Sequence, residues 1–336
     1  MKFRVALCAL ALFASTIAHA QNAIPVTADN FNRAETDMYF AAVVKNGAFG
    51  KFLHRRELLL ESPVVRPNRD TLYSEAVFDL DAGPVRITMP KMGNRFMSMA
   101  VINEDHYVYE VDYTPGNYNF TRGEVGTRYV FMALRILVDP ANSKDVTEAH
   151  ALQDAVFVRQ RSPGKFEVPN WDQASQKKMR DALLMMNTTL PDLRRAFGAR
   201  FQVDQVRHLI GTAAAWGGNP DKDALYLNVT PVKNDGSTVY KLNIPAKVPV
   251  GAFWSVTVYD AEGHLQKNQY NSYSLNSITA KKSADGGVAV QFGGCDGKIP
   301  NCIPTMKGWN YMVRLYRPRD EILNGKWKFP EAKAVN

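Results

Sequence analysis

From Asn30 to Leu60 the apolar residues Phe31, Ala34, Met38, Ala41 and Ala42 recur at helical spacing, with Asp29 or Asn30 placed to cap the start. That spacing predicts one or two helices at the head of the domain. Near Ser62 the period changes to two. Leu72, Ser74, Ala76, Phe78 and Leu80 form a mostly apolar set, and Thr71, Tyr73, Glu75, Val77 and Asp79 a mostly polar one. This is the alternation of a strand with one wet face. Val85–Met89 repeats it, and Arg95–Ile102, Tyr107–Val111 and Tyr129–Val138 are further strands, separated by Gly-, Pro- and Asn-rich turns. Short strands joined by tight turns without helical crossovers predict an antiparallel sandwich.

After Pro140 the helical period returns. Val146, Ala149, Leu152 and Val156 make one stripe and Met179, Leu183, Met186 and Leu190 another, with Asn170 or Asp172 as cap and Pro191 opening a further turn. Methionines 179, 185 and 186 read as core filler. A last helix, Asp204–Ala215, stops at Gly217-Gly218-Asn219-Pro220. From Ala224 the chain is β-rich again, with strands at 224–229, 239–244, 253–260, 288–292 and 308–316. In the last of these Trp309, Tyr311, Val313 and Leu315 share one face, leaving Asn310, Met312, Arg314 and Tyr316 on the other. A sheet with one apolar face and one carrying Asn, Arg and Tyr is a candidate cleft wall.

The first twenty residues stand apart. Lys2 and Arg4, the apolar run Val5–Ile17 and the small residues of Ala18-His19-Ala20 predict a cleaved signal peptide, hence a periplasmic or secreted protein. An apolar run of about 13 residues is too short to cross roughly 30 Å of hydrocarbon, and no later stretch is longer, so no stable membrane insertion is expected. Without Lys2 and Arg4 the formal charge falls by two, from +8 to +6. With no dense run of Lys and Arg, nucleic acid is not an expected partner. Export also makes Cys295 and Cys302, in a Gly- and Asp-rich loop, an expected disulfide.

Nucleotide-binding glycine loops, a serine-hydrolase elbow and a zincin motif are all absent from the sequence, so no cofactor and no metal are expected. Asn103-Glu104-Asp105-His106-Tyr107 is the densest titratable stretch, and His106 is a candidate acid/base. Asp70, in the turn after Asn68, either presents a carboxylate to a site or only completes turn hydrogen bonds. Tyr73 and Glu75 share a strand face, which is either a wet patch of a site or an ordinary exposed face. Arg95, Arg135 and Arg314 interrupt apolar strands, so each requires a carboxylate or a ligand anion. Asp260, Trp254 and Asn310, on the aromatic C-terminal strands, complete the candidates.

The run Pro67-Asn68-Arg69-Asp70-Thr71-Leu72-Tyr73-Ser74, followed by Asp79-Leu80, Gly83-Pro84 and Met89-Pro90, resembles domain of unknown function 1254. Ala252–Asp260, with Asn268, Tyr273 and Ser274 downstream, resembles its usual C-terminal companion, domain of unknown function 1214. Arg69 departs from the small or amide residue that many relatives carry. The resemblance implies a bacterial exported protein, mainly β with a helical region. An immunoglobulin-like and a jelly-roll-like antiparallel β-sandwich are joined by helices, and no reaction is implied. The expected organisation is a signal peptide at 1–20, N-terminal helices at 21–62, a first sandwich at 63–140, a helical connection at 141–222 and a second sandwich at 223–336.

Two functions follow from this reading. In the first, a small molecule or glycan binds, with or without hydrolysis, in a cleft between the sandwiches, Asp70 and Asp260 forming an acid/base pair. In the second, a noncatalytic envelope or assembly protein offers its aromatic strands to a protein partner. Oligomeric state is left open.

Overall fold

A computed structural model describes residues 23–58, 60 and 66–335, so the expected signal peptide lies outside the described residues. Among the described residues sixteen strands and six α-helices form, and the sheets are antiparallel except where Val288–Phe292 pairs in parallel with Cys302–Ile303.

The N-terminal β-unit has two layers. A five-stranded sheet runs in the order Leu53–His54, Thr71–Asp79, Tyr129–Leu137, Met97–Asn103, Val108–Asp112, and a three-stranded sheet in the order Gly116–Phe120, Val85–Met89, Phe157–Arg159. Their apolar faces enclose one core, in which Leu72, Ala76 and Phe78 meet Val85, Ile87 and Phe120. The helix Ser143–Asp154, expected to belong to the connection, packs Ala149, Val146 and Leu152 into that core. Three short strands at 53–54, 116–120 and 157–159 had no legible alternation. Gly116, read as part of a turn, pairs in register with Met89.

The C-terminal unit stacks two four-stranded sheets. One orders Ser274–Asn276, Trp254–Tyr259, Asn310–Tyr316, Ala224–Val229; the other orders Cys302–Ile303, Val288–Phe292, Tyr240–Ile244, Lys333–Ala334. Between them lies a core of Val256, Val258, Trp309, Tyr311, Val313, Leu315, Leu242, Val290 and Phe292.

Helices Phe31–Lys45, Gln173–Asn187 and Gln205–Ala214 lie together, and Phe40 closes over Val77, Ile102 and Phe131 on the outer face of the five-stranded sheet. Asp172 and Asp204 cap the second and third, each side chain accepting from backbone N–H groups of the first turn. Two expectations fail here. Pro191 opens no helix, and Met185 and Met186 are 73% and 46% exposed, so only Met179 of the three contributes to packing. Met185 lies off the stripe that turns Leu183 into the cluster with Phe31 and Ile210, and Met186, expected on that stripe, stays outside the cluster.

Cys295 and Cys302 are disulfide-bonded across a separation of seven residues. Replacing both by serine is expected to lower stability by roughly 2–3 kcal/mol through the freed loop. Denaturant midpoints measure this, and an unchanged midpoint would mean that Asn301, bonded to Lys281 and Ala289, orders the loop alone.

Candidate functional site

The polar faces of the two β-units meet. In the N-terminal sheet the registers set Tyr73 opposite Arg135, and Arg135 opposite Ser98. In the C-terminal sheet Ser255 lies opposite Arg314 and Asn276, and Arg314 opposite Tyr226. Strand alternation turns these residues away from both cores, and the turn 66–70 lies between them. The expected wet face of Thr71–Asp79 is therefore mostly covered, by the second unit at Thr71 and by helices at Val77.

Three side chains of the C-terminal sheet hold that turn. Arg314 Nη2 donates to the Arg66 carbonyl (2.9 Å) and to Tyr259 Oη (2.8 Å), and Nη1 donates to Thr257 Oγ1 (3.1 Å). Tyr259 Oη donates to the Pro67 carbonyl (2.8 Å). Asn68 accepts from the Asp70 amide (2.7 Å) while its own Nδ2 reaches Tyr316 Oη (2.8 Å) and Tyr73 Oη (3.2 Å). Asn68, a candidate ligand-binding residue and turn former by sequence, forms the turn and bridges the two units. Arg69 donates to the Leu58 carbonyl (2.8 Å) and lies over the Tyr273 ring.

Asp70 is fully buried. Its Oδ1 faces Asn276 Nδ2 at 3.4 Å, while among the described residues its Oδ2 and the neighbouring Ser255 Oγ have no hydrogen-bond partner. Burial pushes this carboxyl above the usual carboxylate range, against the Arg314 charge and the amide and hydroxyl beside it.

Arg135, 7% exposed, donates from Nε to Tyr73 Oη (3.3 Å), from Nη1 to Asn219 Oδ1 (3.3 Å) and from Nη2 to the Gly217 carbonyl (3.1 Å). Asn219 Nδ2 continues to Tyr226 Oη (3.1 Å). Among the described residues no carboxylate lies within 4.0 Å of the Arg135 or Arg314 guanidinium. Burial drives the Tyr73 phenol up, but the charge and hydrogen bond of Arg135, with the Asn68 amide, reverse this and hold it below the ordinary tyrosine range. Burial holds Tyr226 and Tyr316 above it.

The remaining candidates lie elsewhere. His106 sits in the helical layer with left-handed φ of 65°, its ring between His208 and Trp216. Its Nε2 accepts from the Gly217 amide (2.8 Å), which leaves Nδ1 to donate to Thr212 Oγ1 (2.8 Å). Burial, with His208 beside it, keeps the ring neutral well below the usual histidine range, so both nitrogens are committed to structure. The Asp260 carboxylate accepts from the His264 and Glu262 amides and Gln266 Nε2, and these bonds hold it below the usual carboxylate range despite burial. It follows Ser255 by five residues, roughly 16 Å at a strand's rise of about 3.3 Å per residue, so Asp70 and Asp260 do not form a pair. Asn310 donates to the Asp260 carbonyl (2.6 Å). Trp254 lies in the C-terminal core against Phe329. Glu75 pairs with Arg55 at 3.3 Å. Arg95 is held by Asp145 through two bonds (2.9 and 2.6 Å) and by Glu148. Among the described residues no three His, Cys, Asp or Glu side chains gather as a metal site. No described helix is long and apolar enough to cross a membrane.

At one end the seam opens into a cavity of about 200 Å³, walled by Asn94, Arg95, Phe96 and Asp139 of the first unit and Asn276, Ile278 and Thr279 of the second. Asn276 links it to Asp70. Ser255 and Thr257 had a faint signal, alternating with valines in an aromatic strand; Asn219 and Asn276 had none.

Two family models match the chain. One, described as a protein of unknown function (DUF1254), covers residues 49–160, and the other, likewise of unknown function (DUF1214), covers 229–320. Among solved structures the chain is similar to the VPA0106 protein from Vibrio parahaemolyticus, 19% identical with a TM-score of 0.71, covering 91% of this chain and 98% of that one. It is also similar to an uncharacterised protein from Burkholderia cenocepacia, 13% identical with a TM-score of 0.51, covering 92% and 88%. At such identities the likeness shows the fold alone. No curated protein matches.

Proposed function

We propose that this chain, which pairs a DUF1254 with a DUF1214 domain in that order, is an exported protein that binds one small polar molecule between its two β-units. The observation that carries the reading is the cavity at the seam, which takes polar groups from both units. At roughly 30 Å³ per water its volume corresponds to about seven waters, the scale of a single sugar unit rather than a glycan chain. Export rests on the leader-like first twenty residues and the internal disulfide.

Binding without hydrolysis is the form we adopt. Asp260 is spent on its turn, and Asp70 lies behind Asn276 rather than on the cavity wall. The assembly reading has less support, because Trp254, Trp309, Tyr311 and Tyr316 are all at most 5% exposed. Ile278, 62% exposed at the cavity rim, is the place to test the proposal without disturbing a core. Across a panel of monosaccharides and other small uncharged polar molecules, a ligand that raises the wild-type melting temperature is expected to leave Ile278→Trp unmoved. Equal stabilisation of both proteins, or none by any compound, overturns the cavity as the site.

A further inference from the structure

We propose a second ligand site at the other end of the seam, where Arg135 faces Tyr73 and Tyr226 beside the loop Trp216–Asn219, and that it takes the oxyanion of a small carboxylate or phosphate. Arg135 is buried, yet its three partners are a phenol, an amide and a carbonyl, all uncharged in their ordinary forms. A guanidinium has five N–H donors, so five less those three leaves two uncommitted among the described residues. Two buried guanidiniums, Arg135 and Arg314, share this layer, and the buried Asp70 carboxyl beside them is itself disfavoured as an anion. A buried cation without an anion is costly, and a planar fork with free donors matches an oxyanion.

Access supports the same reading. Tyr73, Tyr226 and Trp216–Gly218 are only half-buried, and a Cβ placed on Gly217 would meet nothing within 4 Å. The cavity end has the opposite character. There Asp139, Asp145 and Glu148 outnumber Arg95, which disfavours an anion. The two sites therefore fail or succeed separately.

Tyr73 supplies the readout. It is faced by Arg135 beside it in its own sheet and by Arg314, Tyr226 and Tyr316 across the seam, with Asn68 and Asp70 in the adjoining turn. An anion on Arg135 competes with the phenolate for the same charge, so it raises the pH at which Tyr73 ionises, and binding weakens as Tyr73 ionises. The test is calorimetric titration of the full-length protein with inorganic phosphate and, separately, acetate, alongside phenolate absorbance against pH. Saturable binding of at least one probe is expected. It should weaken at least about tenfold in Arg135→Gln, while Tyr73→Phe should bind but lose the alkaline fall. Preference between the probes tells a phosphate site from a carboxylate site. Because Arg135→Gln opens a buried network, the wild-type absorbance is decisive: an upward move of the earliest tyrosine titration on adding the bound probe is the expected result. No saturable binding of either probe, or a tyrosine titration indifferent to a bound one, overturns the proposal.

Discussion

Arg314→Met is expected to lower the stability of the protein by about 3–5 kcal/mol, the range seen when one member of a buried charged network is removed. Methionine keeps much of the side chain's length and apolar stem, so the loss reports the donors rather than a void. Four acceptors depend on that guanidinium: the Arg66 and Pro67 carbonyls, Tyr259 Oη and Thr257 Oγ1. Without it the turn that docks the first β-unit on the second has buried carbonyls with fewer partners, each a separate cost. The Asp70 carboxyl also loses the positive charge that most favours its ionised form and moves further above the usual carboxylate range. Denaturant unfolding measures the change. A midpoint within about 0.5 kcal/mol of wild type would mean that the seam contributes little and that each unit stands on its own core.

Between about pH 4 and pH 8, Asp37 is expected to make the wild-type protein lose stability in a way that Asp37→Asn does not. Asp37 lies on the helix Phe31–Lys45, 1% exposed, with Oδ2 accepting from Trp171 Nε1 and Oδ1 unpartnered among the described residues. Burial, joined by the charges of Glu104 and Asp105 and opposed by Trp171 and Arg33, pushes its carboxyl up to about 7 from 3.8. The folded state therefore holds a proton that the unfolded chain releases. The contribution is full below about pH 3.8 and is lost as pH rises through about 7, at about 1.36 kcal/mol per pH unit, or about 4 kcal/mol in all. Asparagine keeps the acceptor for Trp171 and removes the titration. Asp112, raised to about 7 by burial and Glu110, adds a slope of the same sign in both proteins. His106, buried neutral, adds the opposite slope below its ordinary range, so the difference between wild type and variant isolates Asp37. Superimposable pH profiles would place the Asp37 carboxyl in its ordinary range.

What was legible in the sequence had a local cause. Period-two alternation located Val85–Met89 without error and Thr71–Asp79 to within one residue, and Asp172 was readable as a cap because a cap acts on the next few amides. The division of the strand Asn310–Tyr316 into an apolar and a polar face was legible for the same reason. Failures arose where the deciding partner is distant. His106 reads as reactive beside Glu104 and Asp105, but its ring is fixed by Thr212 and Gly217, more than a hundred residues away in the chain. Trp254 reads as a ligand platform, but alternation turns it into the core.

The residues alone determined two β-rich segments around a helical one, a cysteine pair suited to a disulfide, and arginines on apolar strands that must find compensation. Only the folded molecule decided which of those arginines meets a carboxylate. Arg95 finds Asp145, fifty residues on; Arg135 and Arg314 find phenols, amides and carbonyls instead. The reason is geometric. A strand dictates which side a residue faces, whereas the identity of what waits there depends on how two separately built sheets are set against each other.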